Sequence, residues 1–178
     1  MAIPFLFDVG PLQGAFVYSG DPAVEAATTP EQRQAYIASG DMADLGGRPA
    51  GATVFHLEPV PAGPVQLLTA SALQRVPGEA LEWSRRIATA RGEEGAQRRL
   101  TEAGAYEKAM PAVHALERVK VEVVALALRR VEGWTVPPEK YGDVLRAMVR
   151  QSPKLGFALV AELYDRVVQV SELGPEGK

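Results

Sequence analysis

Residues 112–131 read AVHALERVKVEVVALALRRV, and the fold class turns on what this stretch forms. Leu116, Val119, Val123 and Leu126 recur at spacings of three and four, which places them on one face of an α-helix. Val121, Val124 and Leu128 extend the apolar surface to a second face. Only Glu117, Arg118, Lys120, Glu122, Arg129 and Arg130 require water. A helix that is apolar over most of its girth is buried on several sides. The stretch is therefore expected to be the central helix of a mainly α protein, stopped at Gly133, with Trp134 packing back onto it.

The pattern on either side is also helical. Residues 64–76 (PVQLLTASALQRV) predict a helix that ends before Pro77-Gly78. A second follows from Glu79 to about Ala90 and carries Leu81, Trp83 and Ile87. The charged run RGEEGAQRR reads as a loop, and a further helix is expected over 97–110, with Pro111 kinking or restarting it. Downstream, Pro137-Pro138-Glu139 open a helix that reaches Gln151. Ser152 and Pro153 then suit the N-cap and first position of a last helix over 153–173. Its apolar stripe is Leu155, Leu159, Leu163, Val167 and Val170, with Glu162 and Arg166 as an i,i+4 pair on the outside.

The N-terminal side differs. Residues 1–52 are rich in Gly, Pro, Ser and Thr, and SGDPAVEAATTPEQ reads as irregular because Pro and Gly interrupt it every few residues. One short helix is expected from Pro30 to about Ser39, with Thr29 as N-cap and Gly40 as a left-handed stop. Thr53-Val54-Phe55-His56-Leu57 has strand-type residues, with Phe55 and Leu57 facing inward and Val54 and His56 outward. Pro59 and Pro61 end it, since neither donates a ladder hydrogen bond. The expected organisation is an irregular N-terminal arm with one short helix over 1–52, then a helical domain over 53–178 entered through a short strand. This makes the chain mainly α: a multi-helix body with a short β-strand and an irregular N-terminal arm.

Composition narrows the function. At 178 residues with 47% apolar content, the chain has enough material for a core. Its formal net charge of −3 supplies no basic field for a nucleic-acid backbone. No apolar run reaches the roughly 18 residues of a membrane span, and MAIPFLFDVG lacks the pattern of a secretory signal. A soluble, unsecreted protein without nucleic-acid or membrane partners is the expectation. Cysteine is absent, which excludes disulfides and thiolate zinc sites. Asparagine is absent too, and 14 prolines and an excess of Arg over Lys accompany it. That profile fits selection for thermostability or a GC-rich genome.

The sequence carries none of the usual motifs of catalysis. There is no GxGxxG or GxxxxGK phosphate loop. His56 and His114 cannot form HExxH, and no serine sits in a GxSxG elbow. His56 beside Glu58 reads as an outward strand residue, and His114 as a helix-flank residue. Glu93, Glu94, Glu117 and Glu122 lie among arginines as a solvated face rather than as an acid–base pair. No catalytic, cofactor-binding or metal-ligating residue is expected, no cofactor is implied, and the sequence singles out no partner-binding residue.

Four stretches in order, VYSGDPAVEAATTPEQRQAYIASGDMADL (17–45), TVFHLEPVP (53–61), LERVKVEVVALALRRVEGW (116–134) and ELYDRVVQVSELGPEGK (162–178), resemble the tail assembly chaperones of long-tailed bacteriophages. The residues that carry the likeness are Thr53, Phe55, Leu57, Pro59 and Val60 at the edge motif. Leu128 through Trp134 form the middle motif, and Leu163, Val167, Val170, Ser171 and Leu173 the last. Val136-Pro137-Pro138 depart from the pattern by shortening the polar loop after Trp134. The resemblance implies a non-enzymatic protein that coats the tape measure protein in the host cytoplasm until the tail tube polymerises around it. It also implies self-association into a homo-oligomer and a further contact with the tail tube protein. The alternative within the same group is a permanent virion component of the neck or tail.

Overall fold

The computed structural model describes residues 14–90, 100–101 and 104–172. In chain order these form β1 (Ala15–Val17), α1 (Pro22–Ala27), α2 (Pro30–Ser39), a 3-10 turn (Met42–Leu45), β2 (Val54–Leu57), α3 (Ala62–Leu73) and α4 (Gly78–Thr89). They continue with α5 (Ala105–Ala127), β3 (Leu128–Val131), a second 3-10 turn (Pro138–Lys140), α6 (Tyr141–Gln151) and α7 (Pro153–Glu172). The protein is mainly α, with one small antiparallel sheet of strand order β1–β2–β3. The chain divides into two compact units. One comprises the residues through Val60 and from Val123 onward, the other Pro61–Glu122. The charged run 91–99 lies outside the described residues.

In the first unit, residues 14–52 hold more regular structure than their Pro and Gly content suggests. The Asp21 side chain accepts from the Ala23 N–H and Pro22 follows it, so α1 has both a cap and a preset first residue. α2 occupies the expected span. Thr29 and Gln32 form a reciprocal capping box, and Gly40 ends the helix at φ 78°. Val17, Val24, Tyr36, Met42, Leu45, Ala52 and Val54 then pack into one buried cluster.

β2 is the central strand, paired with β1 through Phe16↔Phe55 and with β3 through Phe55↔Val131. Val54, expected to face outward, is as buried as Phe55 and Leu57 because the cluster from α1, α2 and the 3-10 turn covers its face. Trp134 does fold back, but onto the sheet. Its ring meets Phe55 edge-on at 6.2 Å and Tyr141 at 5.4 Å. α6 and α7 pack so closely that a Cβ on Gly156 would lie 2.6 Å from the Val149 Cα, and only glycine fits there.

Two expectations about the central helix are corrected. It does not run to Val131: α5 stops at Ala127, and Leu128–Val131 form a strand with ends buried and arginines exposed. The Glu58 N–H donates to the Ala127 carbonyl, so pairing with β2 takes over where the helix ends. Nor does Pro111 restart the helix. α5 begins at Ala105, after Gly104 at φ 66°, and continues through Pro111, leaving the Glu107 carbonyl without its i+4 donor. The face drawn through Leu116 and Leu126 is 38% and 52% exposed at those residues, whereas Val119, Val121, Val123, Val124 and Ala127 are buried.

A third correction concerns α7. Glu162 and Arg166 are not an outward ion pair. Arg166 is 2% exposed and donates from Nη2 to the Tyr36 carbonyl (2.7 Å) and from Nη1 to Gln169 Oε1 (2.9 Å). Glu162 accepts from the Ser19 N–H (3.0 Å) and from the Ser19 hydroxyl (2.6 Å). Both turn inward because this part of α7 lies against β1 and α2. The guanidinium also lies 4.9 Å from the Tyr36 ring centroid and 5.7 Å from that of Phe16.

Candidate protein-binding groove

The second unit holds a groove of about 700 Å³ partly open to solvent. Two helix faces build it. α5 contributes Glu107, Met110, Pro111, His114, Ala115, Arg118, Val119 and Glu122, whose alternating steps of three and one define a single face. From α3 and the turn after it come Leu68, Ser71, Ala72, Arg75 and Val76. At 1.5 Å per residue, the wall from Glu107 to Glu122 is about 22 Å long.

α3 is unusual for a soluble helix. Its sequence AGPVQLLTASAL has little polar–apolar sidedness, and none of its residues is buried. Leu67 is 73% exposed, and on α5 Tyr106, Met110 and Val113 are exposed as well. α3 also lacks a side-chain cap at its N-terminus, where Pro61 stands. Unlike the others, the inner side of α5 is small and closed: Ala105, Ala109 and Ala112 are buried. Trp83 on α4 stacks beneath Arg86 and Lys108 at 4.9 and 4.7 Å.

Charge in the groove stands at the rim. Glu107, His114 and Arg118 are exposed, and neither Glu107 nor Arg118 has an ion pair among the described residues. A small-molecule site combines an enclosed apolar cavity with a few converging polar groups. This concavity is long, shallow and apolar along its floor, a shape suited to a helix laid lengthwise.

The residues weighed for chemistry are dispersed. His56 Nε2 lies 3.0 Å from Glu132 Oε1, and Arg48 donates to Glu132 Oε2 at 2.6 Å. This part-exposed triplet ties the loop before β2 to β2 and the residue after β3. The bonds from His56 and Arg48 hold the Glu132 carboxyl below the usual range. Glu58, beside His56 in sequence, instead pairs with Arg129 at 2.5 Å. Glu117 pairs with Lys120 at 2.8 Å. Glu93 and Glu94 lie outside the described residues. Among the described residues, no three His, Asp or Glu side chains group as metal ligands, and no helix is long and apolar enough to cross a membrane.

Sequence reasoning did not single out the groove, because it arises between two helices distant in the chain. The available signal is local: Ala62–Leu73 carries no charged side chain and little polar–apolar sidedness. No protein-family model, curated protein or solved structure matches the chain.

Proposed function

We propose that this protein is a non-enzymatic assembly chaperone of the long-tailed phage type. In this reading it holds an apolar, helix-forming segment of a tape measure protein in the groove of the 61–122 unit until the tail tube polymerises. The observation that carries it is α3, an apolar twelve-residue helix with no buried residue beside an open apolar groove. Apolar surface of that kind is costly to leave in water and marks an interaction site. Two adjacent helix faces receive a third helix through its residues at i, i+3, i+4 and i+7. The exposed Met110 supports a chaperone role, since a flexible thioether adapts to varied partner side chains.

The test is co-expression with the tape measure protein encoded in the same genome. The expected result is co-purification and a higher soluble yield of that protein. Met110→Glu and Leu68→Glu should lower both while leaving the circular dichroism of the chain unchanged. Recovery no better than with an unrelated coiled-coil protein would remove the proposal. Mass spectrometry of mature virions should not find the chain at stoichiometric level; finding it there would establish a permanent neck or tail component instead.

A further inference from the structure

We propose that the groove selects its occupant by charge as well as by apolar surface. The bound helix carries a cation at one end of its docked stripe and a carboxylate on each flank about three turns further on. This rests on reading the groove as a docking site and adds the chemistry of the segment held there. Floor and rim are separate rows of side chains. Leu68, Ala72 and Val76 on the α3 side, and Pro111, Ala115 and Val119 on α5, recur every four residues as an apolar floor. Burial deepens along the α5 row, from exposed Pro111 to buried Val119. An occupant helix sets its own apolar stripe against these two rows.

The charges stand at defined places around that floor. Glu107 heads the α5 row, is exposed and has no ion pair among the described residues. Pro111 lacks the N–H that the Glu107 carbonyl would accept, which adds to the acceptor character of this end. Lys108, next in sequence, is turned to the Trp83 ring instead. Arg118 lies eleven residues on, about 16 Å along the helix, and Arg75 stands on the opposite wall. Both arginines are exposed and without an ion pair among the described residues. Glu122, one turn beyond Arg118, already has a partner, and Lys120 donates to Glu117. His114 lies between Glu107 and Arg118, and its ring can both donate and accept, so it selects no sign. The unmet charges are thus one anion at one end and two cations, one on each wall. An uncharged apolar helix leaves all three unanswered, whereas a helix of matching signs answers each. Rim pairs of this kind add little affinity, but they discriminate among partners that the apolar floor accepts equally.

The experiment is fluorescence anisotropy of labelled synthetic helices with the full chain at low salt. All the peptides share one leucine stripe. The matched peptide has a lysine near one end and, eleven residues on, a glutamate on each flank. A second has lysine at all three positions and a third has glutamate at all three. The matched peptide is expected to bind about tenfold more tightly than the three-lysine peptide. Arg75→Glu combined with Arg118→Glu should reverse that order, and Glu107→Lys should make the three-glutamate peptide the tightest of the set. These positions are exposed, so circular dichroism should not change. High salt should shrink each difference. Equal affinity for the three peptides, or an order that the reversals leave intact, overturns the inference and leaves the chaperone reading standing. A dimer that Met110→Glu dissociates and no peptide displaces also overturns it, because a second copy then fills the groove. If no peptide binds, the inference falls, and co-purification of the tape measure protein tests the chaperone reading by itself. If the peptide order and its reversal are as expected but the tape measure protein does not co-purify, the helix chemistry holds and the chaperone reading fails.

Discussion

The two units of this chain handle their surfaces in opposite ways. The first closes its own edges. The Val17 N–H donates to the Tyr36 hydroxyl at 3.0 Å, and that hydroxyl donates to the Val17 carbonyl at 2.9 Å. The Ser19 N–H is taken by Glu162, and on the opposite edge the Val131 N–H is taken by the Tyr141 hydroxyl at 3.2 Å. A three-stranded sheet has two edges that invite pairing with other chains, and here the Tyr36 and Tyr141 side chains each take an open strand group, one at either edge, while Glu162 takes the N–H just beyond β1. The second unit leaves α3 without a buried residue and a 22 Å groove wall, roughly four helical turns, open along α5. The sheet of the first unit has edge groups taken by its own side chains, and the second unit leaves a whole helix uncovered where the chain is proposed to meet others. The buried sheet and the proposed binding surface thus lie on different stretches of sequence.

This contrast is open to direct attack, and the largest effect belongs to the sheet. Phe55 is buried and meets Trp134 edge-on, so Phe55→Ala should cost about 3–5 kcal/mol in urea denaturation. Leu67→Ala, at a residue 73% exposed, should change stability by less than about 0.5 kcal/mol. Similar losses for the two would mean that α3 is covered and the contrast is false. Next in size is Tyr36→Phe. It leaves the buried Val17 N–H and carbonyl without their shared partner, and a cost of about 1–3 kcal/mol is expected. Burial pushes the Tyr36 phenol up from its ordinary pKa, which keeps it protonated and able to serve both groups. A neutral Tyr36→Phe would show that the edge is satisfied by water. Smaller again is Thr29→Ala, which removes the capping box of α2 for about 1 kcal/mol.

What was legible in the sequence follows the same division. Local signals suffice for α2 with Thr29 and Gly40, for the strand Val54–Leu57, and for α7 from Pro153. Elsewhere they do not. β1 and β3 join β2 from about forty and seventy residues away, and nothing within Ala15–Val17 or Leu128–Val131 announces that pairing. Leu128-Arg129-Arg130-Val131 satisfies a helical spacing equally well, and only the neighbouring β2 decides. Arg166 and Glu162 obey the rule for an exposed i,i+4 pair. Their true positions depend on Tyr36 and Ser19, more than a hundred residues earlier. α1 was hidden by its flanking Pro and Gly, although Asp21-Pro22 is itself a start signal. The groove was the least legible feature, since a surface left uncovered is a property of the packing and not of any one segment.

The finest test compares two carboxylates of the first unit whose pH responses have opposite sign. Glu132 is held below its ordinary pKa by bonds from His56 and Arg48. Its contribution to stability is therefore present above the ordinary glutamate value of about 4.3 and is lost as pH falls through the lowered one. Glu162 is raised, chiefly because burial disfavours its charge, with the Ser19 bonds opposing that only in part. The folded state then binds its proton more tightly than the unfolded chain. Stability drawn from Glu162 is full below about 4.3 and declines as pH rises through the raised value. Each glutamine variant removes one of these slopes. Glu132→Gln should be less stable than wild type at neutral pH and converge with it in acid. Glu162→Gln keeps an oxygen to accept from the Ser19 N–H, and should gain on wild type as pH rises from about 4 to 7. Urea midpoints across that range measure both, and two variants whose differences move in the same direction would show that Glu162 is solvated rather than enclosed by β1 and α7.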